Sequence, residues 1–70
     1  MDMPPIQLND TDKAVLEILD EGRNAPSNIA ERLNFTRQYV QQRLKRLEEH
    51  GHVRNIGSGV YEVVDDPRDH

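Results

Sequence analysis

The apolar positions of this chain follow three helical rhythms and then two short extended ones. Val15, Leu16, Ile18 and Leu19 form the buried arc of a first helix. Leu8-Asn9-Asp10-Thr11-Asp12 reads as its start. Asn9 can cap, and Asp12 stands three residues on, where a capping box wants an acid. Asp10 and Asp12 also suit the positive end of the helix dipole. Leu8 is placed to pack back on the first turn, and Gly22 is the expected stop. After a slightly extended connector, Arg23-Asn24-Ala25, Pro26 fits the first position of a second helix whose inward residues are Ile29, Ala30 and Leu33. Ala25 is a poor cap for it, with Ser27 the alternative one turn later. Asn34 can take the left-handed conformation that ends the helix, and Phe35 is read as a core plug of the turn. Thr36 caps a third helix, running from Arg37 to about His50 and stopping at Gly51. Val40, Leu44 and Leu47 repeat along it at i, i+4 and i+7. His52–Ile56 and Val60–Val64 are rich in β-branched residues, and Gly57-Ser58-Gly59 joins them in a three-residue turn, so they predict a β-hairpin. Met1–Gln7, with Pro4-Pro5, is expected to be a loose tail, and residues 65–70 a frayed acidic one.

The third helix has a second face. Gln38, Gln42 and Lys45 repeat at helical spacing opposite the apolar stripe, Gln41 and Arg46 flank them, and Arg37 opens the helix. A helix with one buried stripe and one Gln/Arg/Lys face is shaped to enter the DNA major groove. Gln38 and Gln42 can each make a bidentate contact to adenine, which discriminates against a wrong base by about 1–3 kcal/mol. Arg37 suits a phosphate or the O6 and N7 of guanine, and Arg46 is divided between phosphate and solvent. Arg43 lies toward the edge of the buried stripe and is read as a partner for acids on the first or second helix. Tyr39 borders the polar face, where its hydroxyl suits a phosphate. Tyr61 is expected to pack on the third helix.

Charge sharpens this picture. The net charge of −4 argues against a nucleic-acid partner until its distribution is considered. Residues 1–22 carry six acids against Lys13, whereas residues 36–54 carry Arg37, Arg43, Lys45, Arg46 and Arg54 against Glu48 and Glu49. One face is thus marked for a polyanion and the other for solvent. Seven Arg stand beside only two Lys, among 13 acids, and an acidic, Lys-poor surface points to a halophilic chain. Six phosphate contacts would give a slope of about −5 in log K against log salt, a feeble hold in strong salt. Binding there would lean on base contacts and shape.

Seventy residues, 34% of them apolar, make one domain (residues 8–64) with a small core. There is no cysteine, hence no disulfide and no thiolate metal site. No signal peptide and no apolar run of membrane length is recognised, so the expectation is a cytoplasmic protein without membrane contact. His50-x-His52 near Glu48 and Glu49 straddles a helix end and a glycine, so no metal site is predicted. Ser27 and Ser58 have no plausible neighbouring base, and Gly57-Ser58-Gly59 lacks the lysine and the strand-to-helix context of a phosphate loop. No enzyme activity, no cofactor and no small-molecule ligand is expected.

Helix, helix, turn, helix, hairpin is a mainly α architecture with a small β-hairpin. The pattern Thr36-x-x-Tyr39-Val40-x-x-x-Leu44-x-x-Leu47-Glu48-x-x-Gly51-x-Val53-x-x-x-Gly57-x-Gly59-x-Tyr61 resembles that of winged helix-turn-helix transcription regulators of archaea and bacteria. It looks most similar to small haloarchaeal domains of the halophage-repressor-like group. The resemblance implies a three-helix winged helix-turn-helix, with residues 37–50 as recognition helix and 52–64 as wing. It implies that Arg37, Gln38, Gln41 and Gln42 face bases or nearby phosphates, that Lys45 reaches phosphate, and that Tyr39 touches the backbone. The wing would bring Arg54 and its tip residue Ser58 to the DNA backbone. Three positions depart from the family pattern: Ser58 where Arg or Lys is common, His52 where leucine is usual, and Ala25 in place of a Ser or Thr cap. The expected function is sequence-specific binding of double-stranded DNA as a transcription regulator, a repressor by promoter occlusion. A homodimer on a palindrome, with half-sites about one helical turn apart, fits this reading. Ile6, the outer edge of the first helix and the wing are candidates for its seam. The alternative is a winged helix that serves as a protein-interaction module in a transcription or replication assembly.

Overall fold

The local signals above become five elements, α1 (Asp10–Glu21), α2 (Pro26–Leu33), α3 (Arg37–Glu49), β1 (Val53–Asn55) and β2 (Tyr61–Val63). The computed structural model describes residues 7–68; the tail up to Ile6 and residues 69–70 lie outside them. The capping box forms as its spacing predicts. Asn9 Oδ1 accepts from the Asp12 N–H at 2.7 Å, and Asp12 Oδ2 accepts from the Asn9 N–H at 3.1 Å. Leu8 is half-buried against the core.

At α2 the poor cap is real. Ala25 is the N-cap and supplies no side-chain bond, and Ser27 is exposed rather than capping. Asn24 compensates in part, its Oδ1 accepting from the Ala25 N–H at 2.9 Å and from Asn28 Nδ2 at 2.8 Å. Asn34, at φ 60° and ψ 40°, ends the helix in the left-handed conformation. Thr36 Oγ1 then accepts from the Tyr39 N–H at 3.1 Å and starts α3. At the far end of α3 the N–H of Gly51 donates to Glu48 O at 2.9 Å and that of His52 to Leu47 O at 3.0 Å. These are the paired bonds of a Schellman motif, which needs the positive φ (78°) that Gly51 supplies.

The hairpin is antiparallel, pairing Val53 with Val63, Arg54 with Glu62 and Asn55 with Tyr61. Each strand is shorter than the expected five residues, although the register is that of a three-residue turn. All three tip residues have positive φ, Ser58 included at 57°. A third segment joins the sheet. Asn24 and Tyr61 exchange backbone hydrogen bonds at 3.0 and 2.8 Å, so the α1–α2 connector is tied to the wing. β2 lies beside α1, and β1 beside α3. Tyr61, expected on α3, is therefore buried on a strand that packs against α1.

The core is built from the predicted stripes: Val15, Leu16, Ile18 and Leu19 of α1, Ile29 and Ala30 of α2, and Val40, Leu44 and Leu47 of α3, closed by Val53 and Tyr61. Asp12 is the one buried charged side chain among the described residues, at 0% exposure. Arg43 reaches it with two bonds, Nε to Oδ1 at 2.7 Å and Nη2 to Oδ2 at 2.5 Å. Hydrogen bonding to Asp12 raises the guanidinium pKa above its ordinary value, and partial burial opposes the shift. The pair locks α3 onto the first turn of α1 and fixes which face of α3 points outward.

Two expectations are corrected. Phe35 is not core but 44% exposed. It follows the left-handed Asn34, which ends α2, and Leu33 already takes the inward position of that turn. The chain after Val64 is not frayed through Arg68. Arg68 bonds Asp66 at 2.6 Å and Asp20 of α1 at 3.0 Å, and His52 Nδ1 lies 2.8 Å from Asp65 O. Hydrogen bonding from Arg68 holds the Asp66 carboxyl below its usual pKa despite some burial.

Candidate nucleic-acid interface

The stripe that buries Val40, Leu44 and Leu47 leaves the other side of α3 in solvent. Arg37, Gln38, Gln41, Gln42, Lys45 and Arg46 are all exposed. Among the described residues none of these six side chains has a hydrogen-bond or salt-bridge partner within the chain. Three glutamines thus present their amide donors and acceptors freely on one helical surface, and three cations stand among them. The face is rigid because both ends of α3 are capped and Arg43 pins its middle.

Four of the other cations are paired with acids, while Lys13 and Arg23 are exposed away from α3. Arg32 pairs with Glu21, Arg43 with Asp12, Arg54 with Glu62, and Arg68 with Asp66 and Asp20. The Arg54 pair crosses the wing, with Nε and Nη2 at 2.7 and 2.6 Å from Glu62 Oε2. Glu62 offsets the charge that this guanidinium could offer a phosphate, although its Nη1 stays free. The wing tip adds Ser58, exposed and uncharged. Positive charge is therefore concentrated on α3, with the wing close to neutral.

Tyr39 is half-buried at the edge of the face. Its hydroxyl donates to Thr11 Oγ1 of α1 at 3.4 Å, a long bond that leaves the oxygen available as an acceptor. Phe35 packs edge-on against it, with centroids 5.5 Å apart and planes at 75°. Phe35 is thus the member of this surface that the sequence reading missed. Its signal was positional: it lies between a helix-ending Asn and a helix-capping Thr, outside both apolar stripes. His50 and His52 stack at 6.2 Å, and each Nδ1 faces a backbone carbonyl. Among the described residues no group of three His, Cys, Asp or Glu side chains converges on a common point.

A rigid, capped helix with free amides and unpaired cations behind a two-stranded hairpin is the layout of a DNA-reading domain. The profile of winged helix-turn-helix DNA-binding proteins matches residues 8–54, from the first cap into β1. The chain belongs to the winged helix-turn-helix DNA-binding family. The match spans all three helices and the start of the first wing strand. This winged helix-turn-helix domain superposes on wild-type ZitR of Lactococcus lactis with a TM-score of 0.80 at 22% identity, over 90% of this chain and 45% of that one. At that identity the likeness carries the fold. The domain spans less than half the length of ZitR. No curated protein matches its sequence. Among the described residues no helix is long and apolar enough to cross a membrane.

Proposed function

We propose that this domain is a sequence-specific transcription regulator that lays the outward face of α3 in the major groove and represses by occupying a promoter. One observation carries the reading: Gln38, Gln41 and Gln42 are solvent-exposed and unpartnered on the capped, pinned helix. An amide held this way can meet the N6 and N7 of adenine without first breaking a protein contact. Arg37 and Lys45 would hold flanking phosphates, with Arg46 a third contact at the C-terminal half. Tyr39 would donate its hydroxyl to a backbone phosphate from the rim, giving up the long bond to Thr11. Arg54 and Ser58 of the wing would approach the backbone more weakly, since Glu62 already neutralises Arg54. Two copies on half-sites about one helical turn apart would read a palindromic operator.

The narrower likeness to haloarchaeal repressors and a salt-rich cytoplasm as the working place belong to the same proposal. Their support is the excess of 13 acids and the scarcity of Lys. With three free cations on α3, the slope of log K against log salt is expected to be about −3 per bound domain. That is shallower than the −5 or so of a six-contact interface, so specific binding should persist as KCl rises. The test is a fluorescence-anisotropy titration of the full chain on duplexes selected from a random pool, repeated across KCl concentrations. Lys45→Ala should weaken all sequences alike and flatten the slope by about one. A slope steeper than about −5 per bound domain, or no preference for the selected sites, would contradict the proposal. Silence on every duplex with capture of a specific protein would favour the protein-interaction module instead.

A further inference from the structure

We infer that Phe35 reads a thymine, by placing its ring against the 5-methyl group that this base presents in the major groove. The inference rests on the DNA-recognition reading above and names the base next to those contacted by the glutamines. A single exposed apolar side chain is ordinary on a protein surface. The position and rigidity of Phe35 are not.

Gln38 and Gln42 stand one turn apart on α3, and Phe35, two residues before that helix, meets Tyr39, the chain neighbour of Gln38, edge-on. Phe35 itself precedes the cap, and the edge-on contact with Tyr39 holds its ring over the first turn of α3. Its backbone is fixed as well, because the Phe35 N–H donates to Ala30 O at 2.9 Å. The next residue, Thr36, is the cap of α3. The ring is thus presented in a set place beside the free amides and loses little conformational freedom on binding.

The chemistry selects the base. Among the four base pairs, only those with thymine display a methyl group in the major groove, and an apolar side chain such as Phe gains most by covering it. Gln reads adenine. A surface with Gln38 and Gln42 beside Phe35 is therefore matched to a half-site containing both adenine and thymine in adjacent steps. Val64, the other exposed large apolar side chain among the described residues, follows β2 and has no comparable place on α3.

The test removes one methyl group at a time. Duplexes selected by the full chain from a random pool are prepared with each thymine replaced in turn by 2′-deoxyuridine, and binding is measured for the wild type, Phe35→Ala and Phe35→Leu. One thymine in the half-site is expected at which the wild type loses about fourfold in affinity, the worth of one buried methyl. Phe35→Ala should show no loss at that position, and Phe35→Leu should keep most of it. Because the ring is 44% exposed and its aromatic contact is the edge-on one with Tyr39, Phe35→Ala should lower the melting temperature by several degrees at most and leave the fold intact, which circular dichroism checks. The inference is overturned if the selected sites lack thymine, or if the deoxyuridine profile is the same with and without Phe35. It is equally overturned if Phe35→Ala weakens all duplexes alike. Failure of the wild type to bind any duplex would instead remove the recognition reading, and this inference with it.

Discussion

Asp12→Ala is expected to be the most destabilising single substitution outside the apolar core. The carboxylate is fully buried, accepts the Asn9 N–H that closes the capping box, and takes both bonds from Arg43. Its removal leaves a mostly buried guanidinium without its counter-charge, a change that typically costs about 3–5 kcal/mol. Arg43 keeps 23% of its side chain in solvent, which places the expected cost at the lower end, about 3 kcal/mol. A domain of 70 residues holds on the order of 4–10 kcal/mol in total, and a small core favours the lower figure. The variant should therefore melt about 12–24 °C below the wild type, and part of it should be unfolded at room temperature. Arg43→Met keeps the capping-box bond but leaves the fully buried Asp12 carboxylate without its counter-charge, so its loss should be of comparable size. Thermal unfolding followed by circular dichroism measures both. A loss below about 1 kcal/mol for Asp12→Ala would mean that the pair behaves as a surface ion pair and does not orient α3.

Gln42→Ala carries the second large effect, this time on binding. Gln42 is exposed and touches no other side chain by hydrogen bond, so alanine, the better helix former, should leave stability within about 0.5 kcal/mol. Affinity for the selected duplex should nevertheless fall by about 1–3 kcal/mol, roughly five- to 150-fold, because a bidentate adenine contact is lost. Affinity for random duplex should hardly change, since glutamine contributes no charge to the phosphate hold. Competition anisotropy with selected and random DNA separates the two terms. Equal losses on both, or none on either, would show that Gln42 is not a base reader.

The parts that could be read from the sequence are those that local rules decide. The Asn9–Asp12 capping box, the Thr36 cap, the left-handed Asn34 and the Val40/Leu44/Leu47 stripe each depend on residues within a turn or two of one another. The outward face of α3 follows from the stripe by geometry alone. Arg43 was legible as a partner of some acid, because it lies at the edge of the stripe. The choice of Asp12 needed the packing of α1 on α3. The Arg54–Glu62 pair follows from the register that a three-residue turn imposes, but it shows only when the two strands are laid side by side. Phe35 was misread because hydrophobicity was equated with burial, while the chain reversal at Asn34 decides the direction. The Arg68 clip to Asp20 joins residues 48 apart in sequence, and no local rule connects them.

The central claim is that the outward face of α3, and not the wing or the α1–α2 side, meets DNA. Amide shift mapping of the full chain with a selected duplex tests it most directly. The largest changes are expected at Phe35, Arg37, Gln38, Gln41, Gln42 and Lys45, including the glutamine side-chain amides. Smaller changes are expected at Arg54 and Ser58, and none along the groove lined by Ala14, Glu17, Glu21 and Arg32. Changes concentrated on that groove or the wing, with the α3 amides unmoved, would contradict the claim.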